Sequence, residues 1–318
     1  MKRDFLSLLD LSRDELEEIL RLARELKADW QAGRPHPLLH GKVLAMIFEK
    51  PSLRTHVTFD VGMFHLGGHA VYLTPADIQL GKRETVADAA RNLERWVDVI
   101  MARVYDHRTL EELARWARVP VVNGLSDRLH PCQVLSDCFT LREFRRDLAQ
   151  LRVAFIGDGN NMAHSWMNAA ARFGFELVVA CPTGYEPDAE VLAGARAAGA
   201  RVTLVHDPAQ AAHGADVIYT DTWTSMGQEA EAEQRRRAFA DYQVNAALVR
   251  LAKPDALVMH CLPAHRGEEI TDEVIDGPQS IVFDQAENRL HVQKAILVWL
   301  VRHHDEQRTA RGWRPTKE

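Results

Sequence analysis

The sequence predicts an α/β protein of two doubly wound domains, each a mainly parallel sheet flanked by helices. Three observations carry that expectation. The 318 residues are about twice a typical domain of roughly 150. Short apolar runs alternate with amphipathic stretches, as in βα units. The alternation occurs twice, on either side of the charged stretch LREFRRDLAQ, without a repeating sequence period, which puts the boundary in 139–150. Hydrophobic residues at 46% exclude intrinsic disorder, and a net charge of −6 leaves no broad basic surface for nucleic acid.

The first set of elements opens with a helix. Ser12 stands three residues before Glu15, the spacing of a capping box, and Leu16, Ile19, Leu20, Ala23 and Leu26 continue at helical intervals. After a Gly33–Pro37 break come the strand VLAMIF at 43–48, the turn PSLRT, a helix ending at Gly67-Gly68 and the strand HAVYL. A helix around 84–95, the strand VDVIM at 97–101, a helix near 109–117, the strand VPVV at 119–122 and a helix from Pro131 complete the first set. The second set has the strands RVAFIG at 152–157, ELVVA, RVTLV, DVIYT and ALVMH. In such sheets ligands sit beyond the carboxyl ends of the strands, so an active site is expected in the interdomain cleft.

Four cysteines, Cys132, Cys138, Cys181 and Cys261, form no CxxC pair, which fits a reducing, cytoplasmic setting. Lys2 and Arg3 mimic the start of a signal peptide, but Asp4, Asp10 and Asp14 interrupt the adjoining apolar stretch, and no later apolar run is long enough to span a membrane.

The chemistry-bearing residues cluster after strands. Ser52, Leu53, Arg54 and Thr55 open a helix, where outward N–H groups, the helix dipole and a forked guanidinium suit an anion. Read alone, the same residues are a helix cap with a surface charge. Arg103 follows another strand, and His130, Pro131, Cys132 and Gln133 open a helix at the same predicted edge. Gly157-Asp158-Gly159-Asn160-Asn161 resembles the start of a dinucleotide fingerprint. Met162 occupies the third glycine position, however, and the next strand ends in Ala180-Cys181-Pro182 with no acid for a ribose, which disfavours nicotinamide. The asparagines suit a small polar substrate instead. Asp221 after DVIYT suits an ammonium group. His260, Cys261 and His265 raise the question of zinc, but neighbours on a strand face opposite ways and no second ligand pair is present, so no metal is expected. Arg289, in AENR before an apolar helix at 292–301, is a third candidate cation.

Together the segments SLRT, MARVY, HPCQ, GDGNN, DTWTSMG, HCLPAHRGEE and AENR resemble, in order and spacing and over nearly the whole chain, the aspartate/ornithine carbamoyltransferase family, with DTWTSMG and HCLP similar to its ornithine branch. The resemblance implies transfer of the carbamoyl group of carbamoyl phosphate to the δ-amine of L-ornithine, with citrulline and phosphate as products and no cofactor. It implies a carbamoyl phosphate-binding domain at 1–140, joined by the C-terminal helix 291–304, an ornithine-binding domain at 141–290 and a polar tail at 305–318. Carbamoyl phosphate would be held by Ser52, Leu53, Arg54, Thr55, Gln79, Arg103, His130, Gln133, Cys261, Leu262 and Arg289, of which Arg54, Arg103, His130 and Cys261 are the expected catalytic residues. Main-chain N–H groups at 53 to 55 would join the phosphate contacts. Ornithine would be held by Asn161, Asp221, Ser225 and Met226. Gln79, in the loop Ile78–Glu84, is expected to reach a neighbouring subunit's site in a homotrimer or a multiple of trimers. The sequence departs from the usual pattern at Leu53, commonly threonine, and His56, commonly arginine; Leu53 retains its N–H, and His56 is not counted among the site residues. Other acceptors for this chemistry are putrescine, an N-acylornithine or aspartate, and the alternative of another class is a catalytically silent binding subunit.

Overall fold

The computed structural model describes residues 2–145, 147–225 and 227–310. The chain forms two compact units, Met1–Cys132 with Arg289–Glu318, and Gln133–Asn288. In chain order the first contains α1 (Arg13–Gln31), β1 (Val43–Phe48), α2 (Leu53–His65), β2 (His69–Leu73), α3 (Pro75–Ile78), α4 (Val86–Leu93), β3 (Val99–Arg103), α5 (His107–Trp116), β4 (Val121–Leu125) and the start of α6 (Pro131–Phe144). The second continues with β5 (Arg152–Ile156), α7 (Asn161–Phe173), β6 (Glu176–Ala180), α8 (Ala189–Ala197), β7 (Arg201–Val205), α9 (Pro208–Ala212), β8 (Val217–Thr220), α10 (Ala232–Ala238), α11 (Ala246–Val249), β9 (Leu257–His260), α12 (Asp272–Ile275) and the first turns of α13 (Val282–Ala310).

Both sheets are parallel, with strand orders β2-β1-β3-β4 and β7-β6-β5-β8-β9. Five of the six residues of β1 are buried, as a strand covered on both faces requires. Burying each of the large side chains among them, Leu44, Met46, Ile47 and Phe48, contributes about 1.5–3 kcal/mol. In the first sheet Ala45, Ile47, Ile100 and Ala102 pack against Ala89, Ala90, Leu110 and Leu113 of α4 and α5. In the second, Ala154, Ile156, Ile218 and Val258 pack against Phe239 and Tyr242.

The expected capping box is present, since Ser12 and Glu15 satisfy one another's backbone N–H groups at 3.2 and 2.8 Å. Two strands begin later than their apolar runs suggest. Asp98 turns its carboxylate onto the Val43 N–H at 2.9 Å and onto Lys42, so the β3 ladder starts at Val99 rather than Val97. Pro120 has no N–H to give and only accepts, from Ile100 at 2.9 Å, so β4 starts at Val121 rather than 119. The last helix departs furthest. Asp284, Glu287 and Asn288 interrupt the apolar run, yet α13 begins at Val282, where Asp284 favours the positive end of the helix dipole. Arg289 therefore lies inside a helix rather than before one, and the helix runs past 304 to Ala310.

The turns that end β1 and β5 lie where the strand order reverses. In the first sheet β1 stands between β2 and β3, and in the second β5 stands between β6 and β8. Helix N-termini and loops on either side of such a point diverge and leave a crevice. The β5 turn is tight. Gly157 has φ +145°, and a Cβ on Gly159 would lie 2.2 Å from the Pro187 nitrogen. Gly159→Ala is expected to cost about 3 kcal/mol through that backbone clash. The midpoint of urea unfolding, compared with Gly194→Ala at an open helical position, measures it.

Candidate active site

At the reversal in the first sheet, four side chains from distant segments are buried together. Thr55 is in the first turn of α2, Arg103 ends β3, His130 precedes α6 and Arg289 comes from α13. Arg289 Nη2 donates to Thr55 Oγ1 at 2.8 Å across 234 residues of sequence. Burial first, and then the guanidinium charges of Arg289, Arg103 and Arg54, hold the His130 imidazole well below its ordinary range, so it is neutral at pH 7. Ser52 caps α2 and accepts from the Thr55 N–H at 3.3 Å. That corrects the expectation that all N–H groups from 53 to 55 face an anion, because the third is engaged by the cap. Arg54 is half-buried, and the Leu53 side chain is 75% exposed, so that position offers its main chain alone. His56 stacks on Tyr72 at 4.0 Å between ring centres, which gives it a packing role. Gln79 is exposed, in the left-handed conformation (φ +43°) at the end of α3.

At the reversal in the second sheet the central group is the Asp221 carboxylate. Oδ2 accepts from Asn160 Nδ2 at 2.9 Å, and Oδ1 accepts from the Thr222 N–H at 2.8 Å and from the Cys261 thiol at 3.0 Å. Sequence reasoning places Asn161 here, and the structure puts Asn160 on Asp221. Asn160 is the cap of α7, its oxygen accepting from Met162 and Ala163 while its amide nitrogen reaches Asp221, whereas Asn161 is the first residue of the helix itself. Leu262 comes next to Cys261, in the left-handed region at φ +57°, a cost of about 1–2 kcal/mol for a non-glycine residue. Its N–H donates to His260 Nδ1 at 2.8 Å, and the Leu262–Pro263 peptide is cis. Gln133, on α6 in the same unit, donates to Asp137 at 2.8 Å.

Asp221, His260 and Cys261 present ligand atoms within 4.8 Å of one another, as do His265, Glu268 and Glu269. Both nitrogens of His260 are engaged, Nδ1 by Leu262 and Nε2 by Glu269 at 2.9 Å, so a metal there would have to displace a buried hydrogen bond. All four cysteines are free thiols.

Sequence reasoning misses Arg235, and it singles out the Asn160-Asn161 pair but assigns only Asn161 as a ligand. Arg235, from α10, is buried and donates to Asp158 at 2.9 Å and to the Trp223 carbonyl at 3.0 Å, fastening the loop after β8 to the turn after β5. Burial outweighs the arginine and pushes the Asp158 carboxyl up to about 6. The only sequence signal is an arginine in the run Arg235-Arg236-Arg237, which reads as a solvated face. Within the loop, the Ser225 N–H donates to Gln228 at 3.1 Å. Met226 lies outside the described residues.

Residues 3–143 match the model of the carbamoyl-P binding domain of aspartate/ornithine carbamoyltransferase, and residues 149–300 match that of its Asp/Orn binding domain. The chain belongs to the aspartate/ornithine carbamoyltransferase family. Among its relatives, the ornithine carbamoyltransferases of Methanoculleus marisnigri and Pyrococcus abyssi are 58% identical over 301 residues and 56% over 303. The first match covers 95% of this chain and 97% of the relative, the second 94% and 96%. The solved ornithine carbamoyltransferase of Pyrococcus furiosus superposes with a TM-score of 0.90 at 56% identity, covering 93% of this chain and 96% of that one. The Thermus thermophilus structure gives 0.86 at 49%, covering 95% and 99%. In family terms, Ser52 to Thr55, Arg103 and His130 lie in the carbamoyl-P domain and Asn160, Asp221 and Cys261 in the Asp/Orn domain, whereas Arg289 falls in the Asp/Orn match yet packs in the first compact unit.

The Arg235 link has a pH signature. Burial raises the Asp158 carboxyl above its value in water, so the closed loop takes up a proton as pH falls through about 6 and is stabilised relative to an opened loop that exposes Asp158. Amide hydrogen exchange in 221–225, corrected for the intrinsic pH dependence, is expected to slow between pH 7 and 5. In Asp158→Asn, which cannot ionise, that pH dependence should be lost.

Proposed function

We propose that the chain transfers the carbamoyl group of carbamoyl phosphate to the δ-amine of L-ornithine, giving citrulline and phosphate, by direct attack of the neutral amine. The buried cationic cluster of Arg103, Arg289 and neutral His130 around Thr55 carries this reading. The phosphate of the donor suits the N-terminus of α2, with Ser52, the Leu53 N–H, Arg54 and Arg103. The carbamoyl end suits His130, Gln133 and Arg289. Since Arg289 donates to the Thr55 oxygen, the Thr55 hydroxyl proton is directed to another acceptor, and charge developing on the carbamoyl oxygen supplies one. A neutral His130 adds a donor without a titration near pH 7. Phosphate leaves readily, so no covalent enzyme intermediate is required, and holding both reactants in line is worth about 7–11 kcal/mol.

For the acceptor, Asp221 offers a carboxylate already oriented by Asn160 and Thr222, suited to an ammonium group. Asn161, Ser225 and Met226 are assigned to the amino-acid end, and Cys261 with Leu262 to the reacting amine. The Cys261–Asp221 contact makes these one cluster, so the thiol and the carboxylate act together in orienting the deprotonated amine. No helix among the described residues is long and apolar enough to cross a membrane. In this reading the protein works in the cytoplasm as a homotrimer or a multiple of trimers, Gln79 serving a neighbouring subunit's donor site.

Amine-dependent phosphate release from carbamoyl phosphate, with the carbamoylated product identified, measured in parallel with ornithine, putrescine, aspartate and N-acetylornithine, tests the reading; turnover of ornithine alone is expected, and preference for another amine overturns it. Arg54→Ala is expected to lower kcat/KM by roughly 150-fold, about 3 kcal/mol, with folding intact. Asp221→Asn should raise the ornithine KM far more than that for carbamoyl phosphate.

Gln79 gives a separate test. Gln79→Ala and Arg54→Ala chains, each impaired alone, should regain activity above the parental average when co-refolded, because a mixed interface restores one whole site. Verified mixed trimers without recovery would remove Gln79 from the site.

A further inference from the structure

Asp137 lies one helical turn after Gln133 on α6 and is fully buried. Three side-chain donors converge on its carboxylate. Gln133 Nε2 and Gln285 Nε2 each donate to Oδ1 at 2.8 Å, and the Tyr219 hydroxyl donates to Oδ2 at 3.0 Å. A carboxylate only accepts, so both amides have a chemically determined sense. Gln133 turns its NH2 toward Asp137, which puts its carbonyl oxygen on the opposite side of the amide. For Gln285 the same logic leaves Oε1 to accept from the His260 N–H at 3.0 Å, as observed.

The carboxylate is itself immobilised from the sheet side. Tyr219, in β8, stacks on Phe155 at 5.6 Å and meets Trp166 edge-on at 5.0 Å, and Gln285 Nε2 also reaches the Tyr219 hydroxyl at 3.2 Å. Burial and the neighbouring charges of Asp137, Cys261 and Asp221 push the Tyr219 phenol well above its ordinary range, which keeps it a donor. A polar group of this kind, buried with every partner in place, specifies one arrangement of its neighbours.

We propose that Asp137, held by Tyr219 and Gln285, is a positioning residue that fixes the Gln133 amide with its oxygen, not its NH2, toward the carbamoyl donor. An amide in that sense accepts from the carbamoyl NH2; flipped, it sets donor against donor. The proposal rests on the reading of Gln133 as a carbamoyl phosphate ligand, and a double-mutant cycle separates the two. Gln133→Met keeps the length and removes the amide, and should raise the carbamoyl phosphate KM about tenfold. Asp137→Asn replaces one acceptor by a donor and should raise the same KM about fivefold, with the ornithine KM nearly unchanged. The double variant should be no worse than Gln133→Met, since an amide that is absent cannot be mispositioned. An unchanged KM in Gln133→Met would overturn both readings. A normal loss in Gln133→Met, with an Asp137→Asn effect that multiplies with it or falls on ornithine, would overturn the role of Asp137 alone. Tyr219→Phe, which keeps the ring and removes one donor, enters the same cycle if Asp137→Asn does not fold. It should raise the carbamoyl phosphate KM about twofold to threefold in native Gln133 and not at all beside Gln133→Met.

Discussion

The parallel hydrogen-bond ladder governs where this protein can place its chemistry. Every ladder in both sheets is parallel, so within each sheet all carboxyl ends emerge at one edge. Parallel strands cannot be joined by tight hairpins, and each crossover returns the chain through a helix or loop that starts at that edge. Residues far apart in sequence are delivered to one place: Thr55 after β1 and Arg103 at the end of β3 in one unit, Asn160 after β5 and Asp221 after β8 in the other. The strand orders then decide which turns carry function, because the loops diverge only where the order reverses.

The polar clusters of the two units solve opposite electrostatic problems. The first buries guanidinium groups and a histidine together, and the outcome is an imidazole forced into its neutral form, a donor that does not titrate near pH 7. A dianionic phosphate is the natural complement of such a cluster, since its charge offsets the desolvation that the cations carry. The second gathers donors around a carboxylate. Asp221 takes hydrogen bonds from Asn160, Thr222 and Cys261, which fix the direction of its carboxylate. Asp137 and Asp158 repeat the pattern within the same unit, the first ordering amides and the second fastening a loop through Arg235. Preorganisation of this kind is what makes a direct displacement fast when no covalent step assists it.

Order along the chain and order in the site are unrelated, and that limits how much of the site is legible in the sequence. Strands and helices are readable because each is a local pattern: VLAMIF is a buried strand by composition, and Ser12 with Glu15 is a capping box by spacing. The candidate residues after strands are readable as well, because a parallel sheet makes every strand end a candidate and the family motifs select among them. Asn160 is passed over in favour of its neighbour because the choice depends on which asparagine caps α7, a matter of one residue's backbone conformation.

Periodicity, turn residues and motif identity are properties of the sequence alone, and they are enough to determine the α/β class, the two sets of βα units, the family and the chemical character of the site. Other features exist only through contacts that folding makes. That Arg289 sits inside α13 and donates to Thr55 depends on a contact across 234 residues. The neutrality of His130 comes from burial beside three arginines that no spacing rule brings together. Arg235 and Asp137, a surface arginine and a helix aspartate when read along the chain, acquire their roles only where folding removes water and leaves each one a fixed set of partners.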